Sequence, residues 1–481
     1  MAVRPLEPTG DELRRLCDAA VAYVVRHIDT LPDQPSFDTE GAAEVAASFQ
    51  EPPPEGGTPF DAILARLDPA VRRSFTTAGP GYLAYVPGGG LPAAAIADFI
   101  ACAVNRFVGV AAAAPALAAL EATAIDWIAG LMGCPPGTAG ILTSGGSISN
   151  LTALVTARVA RLPEDFLAGT LYLSDETHHS VTRAARLAGF PERAVRRVPV
   201  DARLRLRPAS LEAMVREDAS RGARPFLVIA NAGTTNTGAI DPLPEILAIA
   251  RAHRLWVHAD AAYGGFFRLV PEGARRLEGL GECDSITLDP HKGMFLPYGT
   301  GCLLVRDAAT LRAAHRGQAG YLQDLHGTAG APDFHALSPE LSRDFRGLRV
   351  WLPIVLHGLA AFREQIGEKL ALARAAWERL RHLPMIEMVD EPQLSIVAFR
   401  WRAGAVSAGD ADALAAELMR RVNARRRVFL SSTVIGGRFA VRLCVLSFRT
   451  HADRVDEAVE AIAEEATILA DVRKTPAPPS G

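Results

Sequence analysis

Lys292 follows the apolar run of SITLDPHKG, where a buried strand is expected to end. An isolated loop lysine is ordinarily solvated. An amine kept partly out of water can instead lose its proton, attack a carbonyl carbon and form an imine. Asp260 stands thirty-two positions earlier (292 − 260), at the end of the apolar run in LWVHADAAYGG. A carboxylate there calls for a cationic partner, which a protonated pyridine nitrogen would supply, or for a helix N-terminus to cap. Paired with a pyridinium, it would keep the ring an electron sink. In SGGSISN, glycines, hydroxyls and a helix start come together. That combination suits a phosphate, although Gly/Ser turns before helices are frequent. His178 and His179 follow another strand. One ring could lie flat on a pyridine; a surface turn is the plainer reading. An amine, a carboxylate, a phosphate cradle and a flat ring, in this order, describe one site for a cofactor carrying both an aldehyde and a phosphate. His258 and Asp260, two apart on a strand and so on one face, could begin a metal site instead. No third ligand stands nearby, and no resident metal is expected.

All of these residues fall at the ends of short apolar runs. Strands are expected at 141–143 and 171–173, and within PFLVIAN, RLWVHAD, CDSITLD and GTGCLLVRD, with a helix starting near Ser149. Strands alternating with helical stretches predict an α/β fold with a mostly parallel sheet. Its binding crevice would lie beyond the carboxyl ends of the strands. Before this region, Thr9 and Glu12 have capping-box spacing and open an amphipathic helix, and 50–59 reads as a linker. After it come helices at 363–380 and 411–421 and strands at 395–401 and 439–446, a smaller α+β domain. The expected division is 1–79, an N-terminal helical segment; 80–345, the large cofactor-binding domain; 346–474, the small C-terminal domain; and 475–481, a disordered tail.

The pieces GYLAYVP, GGSISN, SDETHHSV, NAGTTNTGAID, HADAAYGG, DPHK and FRGLRVW run from about residue 80 to 351. In kind and order the chain resembles the group II pyridoxal 5'-phosphate (PLP)-dependent amino-acid decarboxylases. The resemblance implies the aspartate-aminotransferase-like fold type I, with a seven-stranded sheet. It also implies a homodimer with shared active sites, residues 1–79 packing on the partner subunit. By position, Lys292 matches the Schiff-base lysine, Asp260 the partner of the pyridine nitrogen, Ala262 the small residue under the ring and His178 the stacking histidine. Ser147, Ser149 and His291 match phosphate-site positions, and Thr234 a threonine near the cofactor face. Asp289 and Gly293 depart from the family's Asn-Pro-His-Lys-Trp; an aspartate beside a phosphate must turn away or pair.

The implied reaction is decarboxylation of an L-amino acid to an amine. Tyr82 and Tyr85 match the substrate-pocket segment and favour an aromatic side chain, with core tyrosines as the alternative. An acidic substrate would instead recruit Arg346 or Arg106. The family's loop tyrosine, a proton donor, falls eleven residues before Phe345, at Phe334, which has no proton to give. The product could then be an aldehyde, unless His335 or Tyr321 donates. An aminotransferase or lyase, and a silent PLP-binding scaffold, are the remaining alternatives; the intact Lys292, Asp260 and His178 speak against the scaffold.

The 481 residues suit two or three domains, and 49% hydrophobic with 22% charged residues is ordinary for a soluble globular protein. A net charge of −3 gives no reason to expect nucleic acid or an anionic membrane as partner. The densest basic run, Arg425-Arg426-Arg427, reads as a solvated helix end. The six cysteines lack metal or redox spacing and read as reduced core thiols of a cytoplasmic protein. The acidic N-terminus does not resemble a signal peptide, and the uncharged stretch at 107–120 is too short to span a bilayer.

Overall fold

The computed structural model describes residues 6–315, 332–404 and 407–474. The tail at 475–481 and Tyr321 lie outside the described residues. Seven strands form the main sheet: β1 (Ala139–Thr143), β2 (Gly169–Ser174), β3 (Val195–Val198), β4 (Arg224–Asn231), β5 (Trp256–Asp260), β6 (Ser285–Leu288) and β7 (Gly301–Val305). Their order is β1-β7-β6-β5-β4-β2-β3. The central strands are buried along their length, as expected where helices cover both faces, and this is why they read as unbroken apolar runs.

Pairing is parallel from β3 through β2, β4 and β5 to β6. It turns antiparallel at β7, which pairs with both β6 and β1. The segment 289–300 joins β6 to β7 without a crossover helix, so the chain stays at one edge and returns in the opposite sense. The amino end of β7 thereby lies beside the carboxyl end of β1, with Gly301 opposite Thr143. A Cβ on Gly301 would come within 2.5 Å of the Gly145 Cα, so the two backbones meet only because this residue is glycine.

A second sheet, in the order β10-β11-β9-β8, holds β8 (Ile386–Met388), β9 (Ile396–Trp401), β10 (Ser431–Ile435) and β11 (Arg438–Cys444). It has its own apolar core, which includes Val397, Phe399, Val441 and Leu443. Leu83 belongs to that second core, its N–H donating to the Phe429 carbonyl at 3.0 Å. The helix Gly347–Leu380 runs from one core to the other and breaks at Gly358, where φ is 73° and ψ 153°.

At the N-terminus the capping box forms: Glu12 N–H donates to Thr9 Oγ1 at 3.3 Å and Thr9 N–H to Glu12 Oε2 at 2.7 Å. The helix it opens, Gly10–Thr30, buries no residue, and Leu13, Leu16 and Val24 are exposed. The basic run at 425–427 is ion-paired, Arg425 with Glu464 and Glu465, Arg426 with Glu40 and Arg427 with Glu457. Of the cysteines, Cys283, Cys302 and Cys444 are buried, Cys17 and Cys134 half-buried and Cys102 exposed. No described helix is long and apolar enough to cross a membrane.

Candidate active site

A cavity of about 350 Å³ opens at the carboxyl ends of β4, β5 and β6. Those adjacent strands deliver Asn231 and Thr234, Asp260 and Ala262, and Lys292 to its wall. The helix Gly146–Arg161 begins at the wall, three residues earlier than its expected start at Ser149. The reason lies in Gly145, whose φ of 149° turns the chain sharply; among the described residues no side chain caps this helix. In the first turn the Ile148 N–H donates to the Gly145 carbonyl at 3.1 Å, and the N–H groups of Gly146 and Ser147 have no acceptor among the described residues. Gly145, Gly146, Ser147 and Ile148 line the cavity, and a Cβ on Gly146 would meet Ala262 at 3.3 Å and Asp289 at 3.1 Å.

Lys292 Nζ pairs with Asp289 Oδ2 at 2.9 Å. Burial pulls the amine's pKa down, but the charge and hydrogen bond of Asp289, with Asp260 beyond, hold it above the ordinary lysine value. Asp289 thus pairs rather than turning away, while its second oxygen, Oδ1, is buried without a partner among the described residues. Asp260 is 7% exposed. Its Oδ1 accepts the Ala262 N–H at 3.2 Å and its Oδ2 accepts from Asn150 Nδ2 at 3.0 Å. Among the described residues no cation pairs with it. A buried carboxylate that faces a cavity without a counter-charge fits a protonated ring nitrogen. The turn-closing bond to Ala262 shows that a capping role is present too.

His178 lines the same cavity and caps the helix His179–Leu187 by accepting the Ser180 N–H. Burial lowers its pKa, opposed by the charge of Asp260, so the ring is held toward its neutral form. His291 donates from Nδ1 to the Thr300 carbonyl at 2.7 Å, and burial lowers its pKa as well. Thr234 reaches the wall, but its hydroxyl closes the corner that follows β4, accepting from Ala239 N–H at 3.1 Å.

Ser149 does not reach the wall. It is fully buried with its hydroxyl on Thr143 Oγ1 at 2.8 Å, because residues two apart on a helix point roughly 200° apart. The expected substrate residues also lie elsewhere. Tyr82 is buried against Phe429, ring centroids 5.9 Å apart. Tyr85 is 54% exposed, with φ 53°. Phe334 is fully buried in the large core, with the Arg343 guanidinium over its ring at 5.3 Å. His335 bonds the Gly109 carbonyl at 3.2 Å. Arg346 is paired with Glu340 and Asp344. His258 is inside the sheet with both ring nitrogens engaged, Nδ1 by Ser285 and Nε2 by Asn150, which leaves none for a metal. Sequence reasoning missed Tyr298, Asn150, Ser180 and Asn231, all lining the cavity. Asn150 stands three after Ser147, on the same helix face, and that phase was the available signal.

Comparison with known proteins agrees with this geometry. The family described as the pyridoxal-dependent decarboxylase conserved domain matches residues 46–402. The aromatic-L-amino-acid decarboxylase of Bacillus atrophaeus is 34% identical over 469 residues, 96% of this chain and 98% of that one. The L-2,4-diaminobutyrate decarboxylase of Rhizobium meliloti (strain 1021) is 33% identical over 474 residues, 96% of this chain and 94% of that one. The crystal structure of Oryza sativa TDC with PLP and tryptamine superposes with a TM-score of 0.92 at 30% identity, covering 97% of this chain and all of that one. The chain belongs to the group II pyridoxal-dependent amino-acid decarboxylases, PLP-dependent carboxy-lyases of fold type I.

Proposed function

We propose that the enzyme decarboxylates an aromatic L-amino acid to its amine, with Lys292, Asp260 and His178 as the groups that handle the cofactor. The observation that carries the aromatic reading is the composition of the cavity wall. It presents Tyr298, half-exposed at the rim, and no arginine among the described residues. An acidic side chain would find no guanidinium there, since the Arg346 considered for it is spent on Glu340 and Asp344.

PLP, when bound, supplies the electron sink that makes loss of carbon dioxide feasible. The N-terminus of the helix at 146–161 and Ser147 would hold its phosphate. Lys292 would tether its aldehyde carbon, and Asp289 stabilises the proton that the amine carries. Asp260 would hold a proton on the ring nitrogen by its charge, and His178, kept toward its neutral form by burial, would pack against the ring. The cavity wall would orient the substrate and keep its carboxylate away from water. A second copy of the chain would cover the exposed apolar face of the helix at 10–30 and Tyr85, which supports a dimer.

One observation favours a second outcome. Phe334, at the family's tyrosine position, carries no proton and is buried away from the cavity wall. If protonation at Cα is slow, dioxygen can take the electron pair left there. Amino acid, dioxygen and water then give aldehyde, carbon dioxide, ammonia and hydrogen peroxide. The test is to assay carbon dioxide, amine and peroxide for the protein amino acids and L-2,4-diaminobutyrate in air. Turnover highest with Trp, Tyr or Phe, giving amine, is expected. Preference for diaminobutyrate or glutamate would overturn the aromatic reading. Stoichiometric peroxide that vanishes in Phe334→Tyr would establish the second outcome, and amine without peroxide would remove it.

A further inference from the structure

Behind the cavity lies a buried chain of polar groups. Trp256 Nε1 is 2.8 Å from Ser285 Oγ, which is 2.8 Å from His258 Nδ1. His258 Nε2 is 3.0 Å from Asn150 Oδ1. The Asn150 amide nitrogen is 3.0 Å from both Asp260 Oδ2 and Ser180 Oγ, and Ser180 Oγ is 2.8 Å from His178 Nδ1. Ser285 is wholly buried, His258 3% exposed, Asn150 3% and Ser180 4%, so water cannot easily reorient these groups.

The two ends constrain the bonds between them. An indole N–H only donates and a carboxylate only accepts. Trp256 therefore donates to Ser285, whose hydroxyl can still either donate to His258 Nδ1 or accept from it. At the other end Asp260 requires the amide nitrogen of Asn150, which turns the amide oxygen toward His258. His258 must then carry a proton on Nε2, which Thr287 Oγ1 also approaches at 3.4 Å; burial favours the neutral ring, and Nδ1 is then left to accept from Ser285. The remaining amide proton of Asn150 goes to Ser180, whose own hydroxyl proton is left for His178 Nδ1. The Ser180 N–H approaches the same Nδ1 at 3.3 Å. The ring of His178 lines the cavity, and its Nε2 makes no hydrogen bond to the described protein.

We propose that Asn150 is a positioning residue: backed by His258, Ser285 and Trp256, it orients the Asp260 carboxylate and at the same time fixes His178 as the tautomer with its proton on Nε2, facing the cavity. One amide thus sets both groups that meet the cofactor ring, one at its edge and one at its face. The second group presents a proton donor to whatever lies there. This builds on the roles given above to Asp260 and His178, but the arrangement belongs to the protein before any cofactor binds.

The experiment uses full-length enzyme freed of cofactor and isotopically labelled on the histidine imidazole nitrogens, near neutral pH. His178→Gln and His258→Gln spectra assign the two rings. In the parent, both rings are expected to show a bare Nδ1 and a protonated Nε2. In Asn150→Ala, His178 loses its single tautomer and the dissociation constant for PLP rises about 10- to 100-fold, the range for a buried hydrogen bond to a charged group. Ser285→Ala, which leaves Asn150 in place, is the second variant and should mix the tautomers of His258. A parent His178 protonated on Nδ1 overturns the proposal, as does an Asn150→Ala protein with unchanged tautomer and PLP affinity. A failed aromatic assay leaves the parent spectrum untouched, so the two readings fail separately.

Discussion

Replacing Asp260 with asparagine keeps the size of the side chain and removes its charge. Both carboxylate oxygens are engaged, one by Ala262 N–H and one by the Asn150 amide. An asparagine has a single oxygen, so one of these buried donors would face another donor. Leaving a buried donor unsatisfied costs about 1–3 kcal/mol of stability. The kinetic effect is separate. Without the carboxylate, the ring nitrogen loses the charge that keeps its proton, and electrostatic partners of this kind are worth about 2.7–4 kcal/mol at the barrier. Turnover should therefore fall about 100- to 1,000-fold, beyond what the loss of stability explains. The assay pairs carbon dioxide release under saturating PLP with thermal melting. A variant that melts lower yet turns over within about threefold of the parent would refute the charge-pair argument. The remaining role of Asp260 would then be closure of the turn at Ala262.

Lys292→Ala should abolish the visible absorbance band that borohydride bleaches and lower turnover by orders of magnitude; a persisting bleachable band would place the tether elsewhere. Ser149→Ala should cost about 1 kcal/mol of stability through its bond to Thr143. The same change should leave PLP affinity unchanged, whereas Ser147→Ala should weaken it; titration of both variants with PLP decides. Burial lowers the His258 pKa to about 4. Between pH ~6.5 and ~4 the unfolded chain binds a proton that the native ring refuses. Stability from this residue is thus fully present above the unfolded pKa and is lost as pH falls, by about 3 kcal/mol at the lower limit. Acid denaturation of His258→Gln should be shallower over that interval by about one proton; an unchanged slope would contradict it.

The strand ends were legible because parallel strands buried on both faces leave uninterrupted apolar runs, and whatever polar residue stops a run lies at the crevice. Lys292, Asp260, Ala262, His178 and His291 all line the cavity for this reason. The direction of β7 was not legible, since it depends on a loop that never crosses the sheet. Within the glycine turn, motif position could not separate Ser147 from Ser149; helix phase does, once Gly145 sets where the helix begins. The tyrosines were harder still. Tyr82 and Tyr298 have the same chemistry, but one packs among Phe37, Phe75 and Phe429 while the other lies beside His291 at the rim. Which environment a ring finds is settled by contacts distant in the chain, and spacing does not report them.

Gly358 interrupts the helix at 347–380 in a backbone region that is essentially closed to residues of L handedness. Among the described residues nothing beyond its own stretch of helix lies within 4 Å of where the Cβ of an L residue would stand, so volume places no constraint there. Chirality alone selects the residue. Reflected through a mirror, its torsions fall near the extended region, which a D-alanine could occupy. The join between the two cores is therefore a stereochemical choice. A semisynthetic enzyme with D-alanine at this position should hold the same bend, with fewer conformations to lose on folding.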